Sequence, residues 1–265
     1  MIPLRDDNPT RTFPIVTILL IAANVVVFLY EKASGPLFDA QFAMIPYKLV
    51  TGQQYLMGIL HATNAGNLVF QPLNSLPQSI GPDDILIAPS PIPPWATIFT
   101  AMFMHANLLH IGGNMLFLWI FGNNVEDALG KTKFLIFYLV CGVAAALAQT
   151  AIDPHSLVPT LGASGAIAGV LGAYIIMYPD ARVLTLFTVG LIFLREISAF
   201  WVLAIWIGLQ VVEEVIGFGG MATGGVAYMA HIGGFSAGLI IILLLGGRAL
   251  GQQQRIQAQS GPYRF

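Results

Sequence analysis

The sequence predicts an all-α membrane protein, a bundle of six spanning helices with a long outer loop between the first two. Three observations carry that prediction. Of 265 residues, 56% are hydrophobic and only 9% charged, whereas a soluble domain carries about 25% charged residues. The mean hydropathy is +0.77. Apolar runs repeatedly approach the roughly 20 residues that a helix needs to cross a bilayer, with fewer where it stops short of one surface. The net charge of -2 offers neither a basic patch nor an acidic tail, so nothing points to nucleic acid. The only cysteine, Cys141, lies in an apolar run, which excludes an internal disulfide framework and a cysteine-built metal site.

The first span, Phe13–Tyr30, runs into Tyr30-Glu31-Lys32 with no small-residue cleavage site, so it reads as a retained helix rather than a removed signal. Glu31–Ile98 is the outer loop. Pro89, Pro91, Pro93 and Pro94 forbid regular helix in its second half, and the mixed stretch around residues 42–47 suits a membrane interface. A second folded domain is not expected from so little to bury. The next three spans are Phe99–Phe121, Phe134–Ile152 and Ser164–Tyr178. Arg195 and Glu196 set the start of the fifth, Ile197–Ile216, leaving the apolar Val183–Leu194 as part of a span or an interfacial segment. The sixth is Val226–Leu245. Residues 1–250 are thus expected to form one membrane domain, and the glutamine-rich 251–265 a short mobile cytoplasmic tail.

Positive charge orients these spans. With the N-terminus cytoplasmic, the inner segments carry Arg5, Arg11, Lys131, Lys133, Arg182, Arg195, Arg248, Arg255 and Arg264, and the outer ones only Lys32 and Lys48. An even number of spans puts the C-terminus inside as well. His110, Ser164 and the approach to His231 then all face outward. The lack of a targeting presequence and the short termini suggest a prokaryotic plasma membrane.

Polar residues in membrane-length apolar runs are costly and usually functional. Ser164, in Gly162-Ala163-Ser164-Gly165, and His231, in Ala230-His231-Ile232-Gly233-Gly234, each stand at the edge of one. Gly165, Gly169 and Gly172 form a smooth stripe on the serine's span, and Gly234 and Gly238 share a face with His231 on the sixth. Packed together, these stripes would bring the two side chains within reach. A serine hydroxyl is a weak nucleophile that needs a base, and a neutral histidine can take its proton. The start of a helix offers unpaired N–H groups near Ser164 and Gly165 for an oxyanion.

His110 and Asn114, four residues apart on one helix face, are either further oxyanion donors or interhelical hydrogen-bond glue. His105 and His110 lie about 140° apart around a helix, which is poor geometry for one metal, so no metal or other cofactor is expected. Glu126, between Gly122 and Gly130 at the other membrane surface, reads as a structural tie at a helix terminus. No carboxylate third member is apparent near the serine and histidine, which leaves a dyad with the histidine oriented by packing.

Here the chain resembles the rhomboid family of intramembrane serine proteases, over nearly everything from Trp95 to Gly238. His110-Ile111-Gly112-Gly113-Asn114 is similar to the family's HxxxN, Gly122 through Gly130 to GxxxExxxG, Gly162-Ala163-Ser164-Gly165 to GxSG, and His231 through Gly238 to HxxGxxxG. The resemblance implies a six-helix rhomboid-like bundle with a water-filled cavity open to the outside. It implies Ser164 as nucleophile, His231 as base, and His110 and Asn114 as oxyanion ligands, acting on single-span membrane proteins near the outer membrane boundary. The chain departs from the family at Ala96, where relatives often have arginine after Trp95, and at Ala168, where they often place an aromatic against the histidine. An inactive rhomboid-like protein would bind membrane clients without cleaving them, and the presence of both Ser164 and His231 counts against it. A transporter would need paired mid-membrane charges, and the only carboxylates in the fifth span, Glu213 and Glu214, sit near an outer end. An aspartyl protease would need intramembrane aspartates.

Overall fold

The computed structural model describes residues 1–62, 68–74, 81, 84–188, 192–217 and 227–260. A short strand β1 (Ile2–Asp6) precedes helix α1 (Ile15–Ser34). Gly35, at φ +76°, stops that helix, and the proline after it opens α2 (Pro36–Phe42). Then come α3 (Pro46–Thr51), strands β2 (Gly58–Ala62), β3 (Leu68–Pro72) and β4 (Ile85–Ile87), and the short α4 (Thr97–Ala101). The bundle continues with α5 (Leu108–Leu129), α6 (Lys131–Ile152) and α7 (Ser164–Met177). Strands β5 (Arg182–Phe187) and β6 (Phe193–Ser198) lead to α8 (Ala199–Gly217), α9 (Tyr228–Leu244) and α10 (Gly247–Ser260).

The protein is mostly helical, and its apolar helices fit a rhomboid-like membrane bundle. Among the described residues, α1 and α6 are each long and apolar enough to cross a membrane, and α9 with α10 passes the same test as a pair bent by 75°. α7 is the central helix, buried on every side from Gly165 through Tyr174. An apolar helix without a polar face has nowhere else to go. Gly165 packs against Ala145, seven residues before α6 ends at Ile152, so Ser164 at the start of α7 lies about 10 Å below that end of the bundle.

Four expectations need correction. The second span does not begin at Phe99, which lies in α4; Asn107 accepts the His110 N–H at 2.9 Å and caps a helix that starts at Leu108 and runs on past Phe121 to Leu129. The fold is not all-α. Within Val183–Leu194, expected as part of a span or an interfacial segment, the described residues are not a spanning helix: 183–187 lie in β5 and 193–194 in β6, paired antiparallel, with β1 added in the order β1-β5-β6, and 189–191 lie outside the described residues. The segment expected as the outer loop folds a second small sheet, ordered β3-β2-β4, around Leu60, Ile87 and Ile59, so it does bury a core of its own. Residues 251–260 are not a loose tail: α10 buries Gly251, Gln254 and Ala258 against the bundle, while 261–265 lie outside the described residues. Residue 226, the expected start of the sixth span, and Arg264 lie outside the described residues, as do the side chains of Glu213 and Glu214.

Polar ties hold each end of the bundle. At one end, Glu126 accepts from the Val16 N–H (3.0 Å), the Thr17 N–H (2.7 Å) and the Thr17 hydroxyl (2.7 Å), fixing α1 onto α5. This satisfies backbone donors that a helix start leaves unpaired. Beside it Asp127 accepts from Arg11 and Thr12, and Gln254 of α10 donates to both Asp127 (2.6 Å) and the Pro9 carbonyl (3.0 Å). At the opposite end Glu31 accepts the His105 N–H at 2.9 Å. The insert between α1 and α5 grips the segment before α7 there: Met44 pairs with Thr160, and the Tyr47 N–H donates to the Ser156 carbonyl at 3.0 Å.

Candidate active site

The site forms where three helix starts meet, at the insert end. Ser164 is the first residue of α7, His231 lies in the first turn of α9, and His110 in the first turn of α5. The glycine stripes bring the first two together. A Cβ on Gly238 would sit 2.5 Å from the Gly169 carbonyl carbon and 2.6 Å from its Cα, and one on Gly234 would sit 2.9 Å from the Gly165 carbonyl carbon. α7 and α9 therefore touch backbone to backbone, a separation only glycine allows. The result is a hydrogen bond of 2.7 Å between Ser164 Oγ and His231 Nε2. His231 is buried and Ser164 partly so.

Asn114, one turn below His110, is buried, and its Nδ2 has no hydrogen-bond partner among the described residues. A buried amide donor without a partner is costly, and here it stands on the same helix face as His110. The His110 ring lies against Gly162, where a Cβ would come within 2.9 Å of Cε1 and Nε2 and 3.6 Å of Ser164 Oγ. Gly162 adopts φ +130°, a conformation suited to glycine. Its N–H is taken by the Ala101 carbonyl at 2.8 Å, so Gly162 shapes the floor of the site and is not an open donor. Gly165 packs its bare Cα against Ala145 of α6. The N–H groups at the start of α7 have no carbonyl one turn earlier in their own helix.

The structural-motif residues lie apart from this site. Gly122 faces Thr17 of α1, where a Cβ would meet Thr17 Oγ1 at 3.4 Å, Glu126 ties α1, and Gly130 ends α5 at φ +79°. Glu31, buried at the end of α1, binds the His105 N–H and Lys32 rather than His231. Among the described residues no group of three or more His, Cys, Asp or Glu side chains could hold a metal ion.

The sequence reading missed two residues of α8. Gln210 Oε1 is 2.5 Å from His231 Nδ1, and the Trp206 ring lies 5.6 Å from the imidazole at 42°. Gln210 is the only amide side chain in the apolar stretch 199–212, and the costly-polar-residue criterion that singled out Ser164 applies to it equally. Trp206 supplies the aromatic neighbour that Ala168 cannot.

An apolar helical bundle closed around a hydrogen-bonded serine–histidine pair is the architecture of an integral membrane protein with a polar centre. The rhomboid domain model matches residues 93–248, and the chain belongs to the rhomboid family. Similar proteins include rhomboid protease GluP of Bacillus subtilis, 32% identical over 57% of this chain and 26% of its own length. Rhomboid-like protein 11, chloroplastic, of Arabidopsis thaliana is 28% identical over 58% of this chain and 53% of its own. Rhomboid protein 1, mitochondrial, of Saccharomyces cerevisiae is 36% identical over 33% of this chain and 27% of its own. The chain thus spans between about a quarter and about half of the length of these relatives.

Proposed function

We propose that this protein is an intramembrane serine endopeptidase that cuts single-span membrane proteins near the outer boundary of the bilayer. The observation that carries the reading is the 2.7 Å hydrogen bond between Ser164 Oγ and His231 Nε2 at the recessed start of α7. As the substrate's carbonyl carbon is attacked by Ser164 Oγ, His231 Nε2 takes the hydroxyl proton and the carbonyl oxygen becomes an oxyanion. Asn114 Nδ2, the His110 ring and the N–H groups of Ser164 and Gly165 are the donors that meet it. Collapse breaks the C–N bond, His231 returns its proton to the leaving amine, and water then releases the acyl group by the same two steps. No cofactor enters this scheme.

The six-span arrangement, with the insert end outward and both termini cytoplasmic, is supported by the positive residues. Arg5, Arg11, Lys131, Arg182 and Arg248 belong to elements at the Glu126 end, and Lys32 and Lys48 to the insert end. Relatives carry mitochondrial and chloroplast names as well as bacterial ones, so the choice of a prokaryotic plasma membrane rests on the sequence expectation alone.

The test is cleavage of a single-span substrate by purified protein in liposomes. Ser164→Ala and His231→Ala each abolish cleavage while the thermal unfolding midpoint stays near wild type, and a fluorophosphonate probe labels Ser164 in the wild type only. A Ser164→Ala protein that cleaves at the wild-type rate sinks the reading.

A further inference from the structure

His231 has two ring nitrogens, and the Ser164 hydroxyl uses one of them. The other faces α8, whose Gln210 Oε1 stands 2.5 Å from Nδ1. We propose that Gln210 is the positioning residue of the pair: its amide oxygen accepts the Nδ1–H and holds the imidazole in the tautomer whose Nε2 lone pair faces Ser164. This rests on the Ser164–His231 reading above and extends the dyad to a third side chain.

The argument is one of proton inventory. A neutral imidazole has one N–H and one bare nitrogen, and an amide oxygen can only accept. With Oε1 on Nδ1, the single ring proton must lie on Nδ1, so Nε2 is bare and can receive the serine proton. In the opposite tautomer an Nε2–H would point at Ser164 Oγ and could accept nothing. Trp206 complements the hydrogen bond. It lies one turn before Gln210, on the same face of α8, and its ring against the imidazole restricts rotation that one hydrogen bond alone permits. Trp206 is itself backed by Phe117 of α5, with ring centroids 6.3 Å apart.

Energetics favour an amide at this position. A carboxylate among the apolar residues of α8 carries a large desolvation penalty, whereas a neutral amide needs only its hydrogen bonds satisfied. An amide orients the ring without adding charge. Other elements leave the role to α8: Ala168 of α7 has no atoms beyond Cβ, and the buried Glu31 is engaged by His105 and Lys32.

The experiment combines a spectroscopic and a kinetic readout on the full chain in detergent or lipid. Side-chain ¹⁵N spectra of histidine-labelled protein, with His231→Asn to assign the resonance, are expected to show the Nδ1–H tautomer in wild type and a mixture in Gln210→Leu. The leucine variant is expected to lose about tenfold in kcat with KM within about twofold, the scale of one neutral hydrogen bond. Gln210→Glu keeps the acceptor, so it restores the Nδ1–H tautomer and moves the acid limb of the kcat profile to higher pH, because a carboxylate favours the imidazolium. His110, the other imidazole at the site, is the same in all three proteins. A purely structural Gln210 would leave the tautomer unmoved in Gln210→Leu. An Nε2–H tautomer in wild type, or a Gln210→Leu protein with unchanged tautomer and kcat, overturns the proposal. The wild-type spectrum needs neither turnover nor a folded variant, so it judges Gln210 even if Ser164 proves not to be the nucleophile.

Discussion

Replacing Gly238 by alanine tests whether backbone contact between α7 and α9 sets the distance between serine and histidine. The new Cβ would lie 2.5 Å from the Gly169 carbonyl carbon and 2.6 Å from its Cα, whereas non-bonded carbons rest at about 3.5–4.0 Å. Both obstacles are backbone, so no rotamer change relieves them, and α9 must withdraw by about 1 Å at that level. Carried along a stiff helix to His231, that withdrawal takes the 2.7 Å bond to Ser164 out of hydrogen-bond range. A misplacement of about 1 Å costs on the order of 100-fold in rate, and overpacking removes about 1–3 kcal/mol of stability. The assay pairs cleavage kinetics in liposomes with the thermal unfolding midpoint. Gly208→Ala is the control: a Cβ there meets nothing within 4 Å, so the same change in α8 should leave activity intact and add up to about 1 kcal/mol from helix propensity. If Gly238→Ala matches wild type in both measurements, the helices are not in the contact described and the steric reasoning fails.

Three further outcomes are expected. Asn114→Ala should lower kcat by about 10- to 1000-fold with little change in KM if its free Nδ2 meets the oxyanion; single-turnover cleavage separates this from a binding defect, and an unchanged kcat returns Asn114 to a packing role. Glu126→Ala removes the acceptor of three donors on α1 and should cost about 3 kcal/mol, seen as a lower unfolding midpoint and faster proteolysis between α1 and the bundle. Asp6 is pushed up to about 7 by burial, against the opposing hydrogen bond from Tyr174. The folded state therefore binds its proton over a pH range in which the unfolded chain has released it. Stability contributed by Asp6 is full below about pH 4 and is lost as pH rises to about 7. The advantage of Asp6→Asn over wild type should grow across that window and level off above it, in unfolding midpoints taken from pH 4 to pH 8.

Much of the arrangement is legible in the residues because membrane helices need long apolar runs and small-residue faces, both local properties. The stripes of Gly165, Gly169 and Gly172 and of Gly234 and Gly238 are visible as spacings, and they are the surfaces that meet. What escaped reading depends on distant partners. The pairing of Ile2–Asp6 with the 182–187 strand joins segments far apart in the chain, and an apolar stretch such as Val183–Leu194 has no period that separates strand from helix. Phe99 looked like the start of a span because hydropathy does not break there; the break comes from Asn107, whose capping role is a single side-chain hydrogen bond. Gln210 was overlooked in a helix with no other amide, although its isolation was the signal. The tail was misjudged because glutamines usually signify solvent, yet Gln254 turns inward to a carbonyl and a carboxylate.

That inward glutamine has a topological consequence. By joining Pro9, near the start of the chain, to α10, near its end, it makes the path of the polypeptide a nearly closed circuit. In the membrane arrangement proposed above, a thread that leaves one end of the bundle and returns to it crosses an even number of times, whatever the thickness of the lipid around it. Reporters attached at Met1 and beyond α10 should therefore always read the same compartment, and a deletion of one whole span should force one of them to change sides or the Gln254 latch to break.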